Sequence, residues 1–172
     1  MDQFNSVWMP LRNVGLGVAK NVSISWDFPI NDQVAKINKM AQETQTLAFF
    51  EFKNGILSYK IDAFIDGASN WNNQNSNSYG FVLQVTIEKE PLIVQLPDSY
   101  IKIVSALVYF YQKLDRLDDL DSVPALIGTL SFRDIGEKSH KWKLEVSFDL
   151  LTKIIRGKNV SSGEVFLVPT HS

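Results

Sequence analysis

The sequence predicts one domain of 172 residues, all-β apart from one or two short helices and packed as a two-sheet sandwich. Three observations carry that expectation. Apolar and polar residues alternate strictly through Val22–Trp26, Phe81–Ile87 and Trp142–Phe148, the period of a half-buried strand. Asn54-Gly55 lies between two β-prone runs and is the strongest hairpin signal in the chain. Turn residues punctuate the sequence at short intervals, without the strand–helix alternation of a parallel sheet.

The elements follow in order. Val7 to Leu11 is a short extended segment that Pro10 confines to an edge or a bulge. The turn Asn13 to Gly17 leads into a strand over Ala19 to Phe28, with Val22, Ile24 and Trp26 on its buried face. Pro29 ends it. A helix near 32–45 follows, capped by Asn31 or Asp32, with Val34, Ile37 and Met40 on one side. Leu47–Phe52 and Ile56–Ala63 form the hairpin around Asn54-Gly55. The stretch 66–80 is rich in Asn and Ser and reads as a long mobile loop. Strands over Phe81–Glu88 and Leu92–Leu96 come next.

A second helix is expected near 98–108, capped by Asp98 or Ser99. Tyr100–Tyr111 fits both periods, because its β-branched and aromatic residues suit a strand as well. Asp115–Asp121 is an acidic connector. Leu126–Phe132 and Lys141–Leu150 make a second hairpin, and Glu164–Val168 a last strand. Trp26 and Trp142 both fall on apolar strand faces and are expected in the core.

Composition narrows the function. The net charge is −2 and the basic residues are scattered, which disfavours general nucleic-acid binding. The absence of cysteine removes disulfides, thiolate nucleophiles and Cys-ligated zinc. No apolar run is long enough to span a bilayer. Gly15-Leu16-Gly17 lacks the third glycine and the helix of a dinucleotide fingerprint, so it reads as a turn. His140 and His171 are the only histidines, and no Ser-His-Asp or zinc motif accompanies them. Asp115, Asp118, Asp119 and Asp121 lack calcium-loop spacing. No cofactor or metal is expected.

Two stretches resemble a known group. Leu11-Arg12-Asn13-Val14-Gly15-Leu16-Gly17-Val18-Ala19-Lys20-Asn21-Val22 is similar to a strand–turn–strand signature of immunoglobulin-like β-sandwich domains in prokaryotic proteins. Leu130-Ser131-Phe132-Arg133-Asp134-Ile135-Gly136-Glu137, followed by Trp142 to Val146, resembles a late hairpin of the same group. The resemblance implies a domain set beside N-terminal transmembrane helices, and it transfers no catalytic residue. The near-immediate start of a strand at Val7 agrees with an anchor upstream in the native protein.

The expected function is therefore a non-catalytic sensing or binding domain, the soluble part of a membrane-associated protein. The candidate contact residues are Trp71 and Tyr79, which bracket the polar loop, and Arg12, Lys20 and Arg133 for an anionic ligand such as a nucleotide messenger. A protein, an extended peptide or a small polar ligand would dock on loops or on a sheet edge, and a homo-oligomer would form through such an edge. Two other classes stand beside this one: a carboxylate-dependent hydrolase on a β-scaffold, and a structural assembly module.

Overall fold

The computed structural model describes residues 8–11, 17–62, 65–73, 75–82, 92–155 and 158–170. Most of them are strands, joined in antiparallel sheets with two helices. Where two sheets are expected, the described residues form three.

In the largest sheet β2 (Ala19–Asp27) has a strand on each side. Val22, Ile24 and Trp26 are buried along it, as the alternation requires. Trp26 lies flat on β8 (Leu126–Arg133), where Gly128 is its register partner. A Cβ at Gly128 would sit 2.6 Å from the indole, so this glycine exists for close approach. From β2 the chain enters helix α1 (Ile30–Glu43) and then a three-stranded meander, β3 (Ala48–Lys53), β4 (Ile56–Ile61) and β5 (Ile65–Asn70). It returns as β6 (Ser76–Val82) on one side of β2. After β7 (Leu92–Gln95), which pairs with β1 (Trp8–Leu11), come helix α2 (Asp98–Lys113) and a 3₁₀ helix over Leu117–Ser122. β8 then joins β2 on its other side, and β9 (Ser139–Ile155) and β10 (Lys158–Thr170) complete the order β10-β9-β8-β2-β6.

Helix α2 settles the ambiguous stretch in favour of a helix, through to Lys113. Tyr100, Ile103, Val104, Ala106, Leu107, Phe110 and Tyr111 are buried, which places it in the middle of the core. Its first turn touches both large sheets. The Tyr100 hydroxyl donates to the Val146 carbonyl of β9, and the Ser99 hydroxyl pairs with Ser69 of β5 at 2.8 Å.

In both helices the expected cap residues lie inside the first turn: α1 begins at Ile30, ahead of Asn31 and Asp32, and α2 begins at Asp98. Pro29 and Pro97 hold the N-cap positions, and no side chain caps either helix. Both end in the same way. Thr46 N–H reaches the Ala41 carbonyl past Gln45 at φ 52°, and Arg116 N–H reaches Tyr111 past Asp115 at φ 55°. This is the Schellman closure, made here without glycine.

Three further expectations need correction. Residues 66–80 are no long loop: 66–70 belong to β5 and 76–80 to β6. Asn and Ser serve in these strands because the backbone ladder, not their side chains, supplies the order. Trp142 is not in the core. It shares a face with buried Leu144 and Val146, but its ring is set against Phe132, which is itself only partly buried, and it is 55 % exposed. The acidic connector is the 3₁₀ helix, and Asp119 pairs with Arg116 at 2.8 Å. The Asn54-Gly55 turn is as expected, with φ of 54° and 77°, a type I′ pattern. Among the described residues no helix is long and apolar enough to cross a membrane.

Candidate binding groove

The three-stranded meander turns one face toward helix α2, and side-chain size decides what happens between them. Phe50, Leu57 and Ile61 project inward with Tyr59. The facing stretch of α2 is lined by Ala106, Ser105, Lys102 and Tyr109. Small residues here cannot fill the space that the sheet leaves open. The result is a groove of about 260 Å³, bounded also by Asp62 and Ile65. It is aromatic and aliphatic at its base, with an ammonium, a carboxylate and three hydroxyls around it. This is the composition of small-ligand sites, whose volumes begin at roughly 300 Å³.

Tyr59 organises the floor. Its ring stacks on Phe50 at 6.0 Å between centroids. Its register partner is Gly67, where a Cβ would lie 2.7 Å from the phenol oxygen. Glycine at that position lets the ring lie down over β5. Burial raises the Tyr59 pKa above its usual value, and the charges of Asp98 and Asp66 push it further the same way. The phenol therefore stays neutral and serves as a hydrogen-bonding group. At the other end, Asp62 at φ 49° donates its N–H to the Leu47 carbonyl, which pins the strand end. Lys113 lies over the Tyr109 ring at 5.6 Å while donating to Thr46 Oγ1.

None of these residues carries a sequence motif. The available signal was a helix of large apolar residues interrupted by the small pair Ser105-Ala106, opposite a strand interrupted by Gly67.

The residues named from sequence lie elsewhere. Trp71 is only 8 % exposed and belongs to the core, so it anchors the β5–β6 turn and offers no free contact face. Tyr79 is half-buried beside Val22 in β6, and burial raises its pKa. Arg12 lies outside the described residues. Lys20 and Arg133 are brought together. A β-bulge between Lys20 and Ser23, with Asn21 at φ 50°, sets Lys20 opposite Arg133. Both turn to one carboxylate: Lys20 Nζ is 2.6 Å from Glu137 and Arg133 is 3.8 Å away. The hydrogen bond from Lys20 and its charge lower the Glu137 pKa. One carboxylate thus faces two cations, and half of the pair's positive charge is compensated within the protein.

His140 bonds Asp134 at 2.9 Å and stacks on Phe132, and Asp134 also accepts the Lys138 N–H. The hydrogen bond from His140 lowers the Asp134 pKa. This closes the β8–β9 turn. Among the described residues no cluster of His, Asp and Glu could hold a metal ion.

A broader depression of about 470 Å³ lies where α1 meets β3, beside exposed Leu47 and Phe49. Its lining mixes polar and apolar side chains, and Phe49 is the one aromatic ring among them. Comparison with protein-family models, with curated proteins and with solved structures finds no match.

Proposed function

We propose that this chain is a non-catalytic binding domain that takes an apolar group into the groove between helix α2 and the β3-β4-β5 sheet. The single observation behind it is the convergence of Phe50, Tyr59, Ile61, Ile65 and Tyr109 on one opening that the small Ser105 and Ala106 leave unfilled. An apolar group entering there leaves water for a preformed aromatic surface, worth about 25 cal/mol per Å² buried. Tyr59, Ser105, Lys102 and Asp62 give it orientation.

The immunoglobulin-like arrangement, and the place of the domain as the sensing part of a membrane-associated protein, belong to the same proposal. Their support is that the two stretches carrying the resemblance lie together. A Cβ at Gly17 would be 3.7 Å from Ile135, and Lys20 pairs with Glu137. In such a protein the domain would report occupancy of the groove to the membrane segment.

The test is a titration with 2-phenylethanol, followed by the methyl resonances of Ile61, Ile65 and Ala106. Saturable shifts at these methyls are expected. Ala106→Leu and Ser105→Leu, which fill the groove from its floor and its lip, should abolish them with the fold intact by circular dichroism. Shifts spread evenly over the protein, or shifts unchanged in both variants, would overturn the reading.

A further inference from the structure

The two edges of the meander are treated differently. On β3, the edge is closed by a side chain. Asn38 of α1 donates its amide to the Phe50 carbonyl at 2.8 Å and accepts the Phe50 N–H at 3.0 Å. One carboxamide thus occupies both outward groups of that residue, a guard against strand addition.

The bonds to Asn38 also fix the phase of the sheet. Phe50 points its backbone away from β4, so Phe50 and its partner Tyr59 are a non-hydrogen-bonded pair, and Tyr59 bonds to Gly67 on β5. Alternation then turns the N–H and C=O groups of Asp66 and Ala68 outward. Among the described residues β5 is the free edge of its sheet, and neither Asp66 nor Ala68 meets a partner there. Both residues are exposed, and so is Gly67 between them. This edge carries no proline and no lysine, and its one charged residue, Asp66, is paired across the sheet with Lys60.

The free edge borders the groove. Ile65 lies on β5 and lines it, and Tyr59 reaches across Gly67. We infer that the natural occupant is an extended peptide segment, which adds to β5 as a fourth, antiparallel strand and sends one apolar side chain into the groove. This rests on the groove being a binding site and names its partner. The period of the strand sets the match. A peptide residue opposite Gly67 faces the groove, while its two neighbours exchange backbone hydrogen bonds with Asp66 and Ala68. The volume of about 260 Å³ suits one large side chain, not a helix. Lys60 stands opposite Asp66, and Lys102 lines the groove together with Asp62, so charge is balanced around this edge and the peptide is held by its backbone and one apolar side chain.

The probe is the peptide acetyl-Lys-Thr-Phe-Thr-Lys-amide, added to the full chain and followed by backbone amide resonances and titration calorimetry. Binding should shift the Asp66 and Ala68 amides and slow their exchange with solvent. Methylating both Thr nitrogens should weaken it by about tenfold or more, the loss expected for backbone hydrogen bonds. Ala68→Pro removes an outward N–H and leaves the β4 ladder whole, as edge positions allow. It should weaken the peptide by a similar factor without changing 2-phenylethanol binding.

Equal binding of the methylated peptide, or of the native peptide to Ala68→Pro, would overturn strand addition and leave the groove reading standing. Failure of both peptide and 2-phenylethanol would overturn both. A dimer of the free chain with protected Asp66 and Ala68 amides would make the occupant a second copy and overturn the peptide assignment.

Discussion

Two tryptophans that look alike in sequence have opposite roles. Trp26 and Trp142 both sit on the apolar face of an alternating strand, and only Trp26 is covered. Trp26→Ala should cost about 3–5 kcal/mol, since a large ring packed on Gly128 leaves a cavity. Trp142→Ala should cost under about 1 kcal/mol, because most of the indole stays in water and only its edge contact with Phe132 is lost. Denaturant melts of the two variants decide it, and similar losses would reverse the assignment. Tyr100 is the other telling residue. Its ring meets Phe28 edge-on at 5.0 Å and its hydroxyl reaches Val146, so burial pushes its pKa up to about 12. A phenol raised in the fold above about 10 in the unfolded chain keeps its stabilising effect below pH 10 and loses it as pH rises toward 12. The difference corresponds to about 2–3 kcal/mol. Alkaline melts should therefore fall steeply across that window, and less steeply in Tyr100→Phe.

At the scale of elements, the legible parts were those whose signal is local. The alternation of β2, the Asn54-Gly55 turn and the amphipathic face of α1 each follow from neighbours in sequence, and each is present. Helix ends were harder to read. Gln45 and Asp115 close both helices at positive φ, and neither is the glycine that usually marks such a stop. The β5 and β6 strands were illegible for a stronger reason. Asp66, Gly67, Asn70 and Asn77 have poor intrinsic strand preference, and only pairing with β4 and β2 makes them strands. The groove was hidden likewise, since it is formed by what small residues on distant elements fail to fill. The guard on β3 is equally non-local, and it can be tested alone. Asn38→Ala strips both hydrogen bonds from Phe50 and should cost about 1–3 kcal/mol in urea unfolding. It should also raise the tendency to dimerise through β3, read from solution mass. A neutral variant that stays as monodisperse as the parent would mean that this edge needs no guard.

For the whole molecule, the segment from β5 to β6 decides whether the two larger sheets behave as one body. β2 and β6 are neighbours in the five-stranded sheet, yet α1 and the entire meander are inserted between them in sequence. The return path is short and fully used. Trp71 N–H donates to Gly55 at the meander's turn, Asn75 N–H donates to the Trp71 carbonyl, and Trp26 N–H donates to the Asn75 carbonyl. One chain of backbone bonds thus runs from the Asn54-Gly55 hairpin to β2, with the Trp71 ring buried beside it. Ser69, one residue earlier in β5 than Asn70, ties the same region to α2 through Ser99. The composition of this segment suggests a removable loop, and a loop of that kind could be shortened with little loss, since closure entropy changes slowly with length. The geometry predicts otherwise. Replacing Ala68–Ser78 by a short Gly-Ser link deletes half of β5, the first residues of β6, the buried Trp71 and the Ser69–Ser99 bond together. The losses fall on one cooperative unit, so they compound and the variant should lack a sigmoidal thermal transition. A variant that still melts cooperatively near the parent temperature would show that the meander and the five-stranded sheet fold independently. The path through Trp71 would then be a tether between them and not part of their shared core.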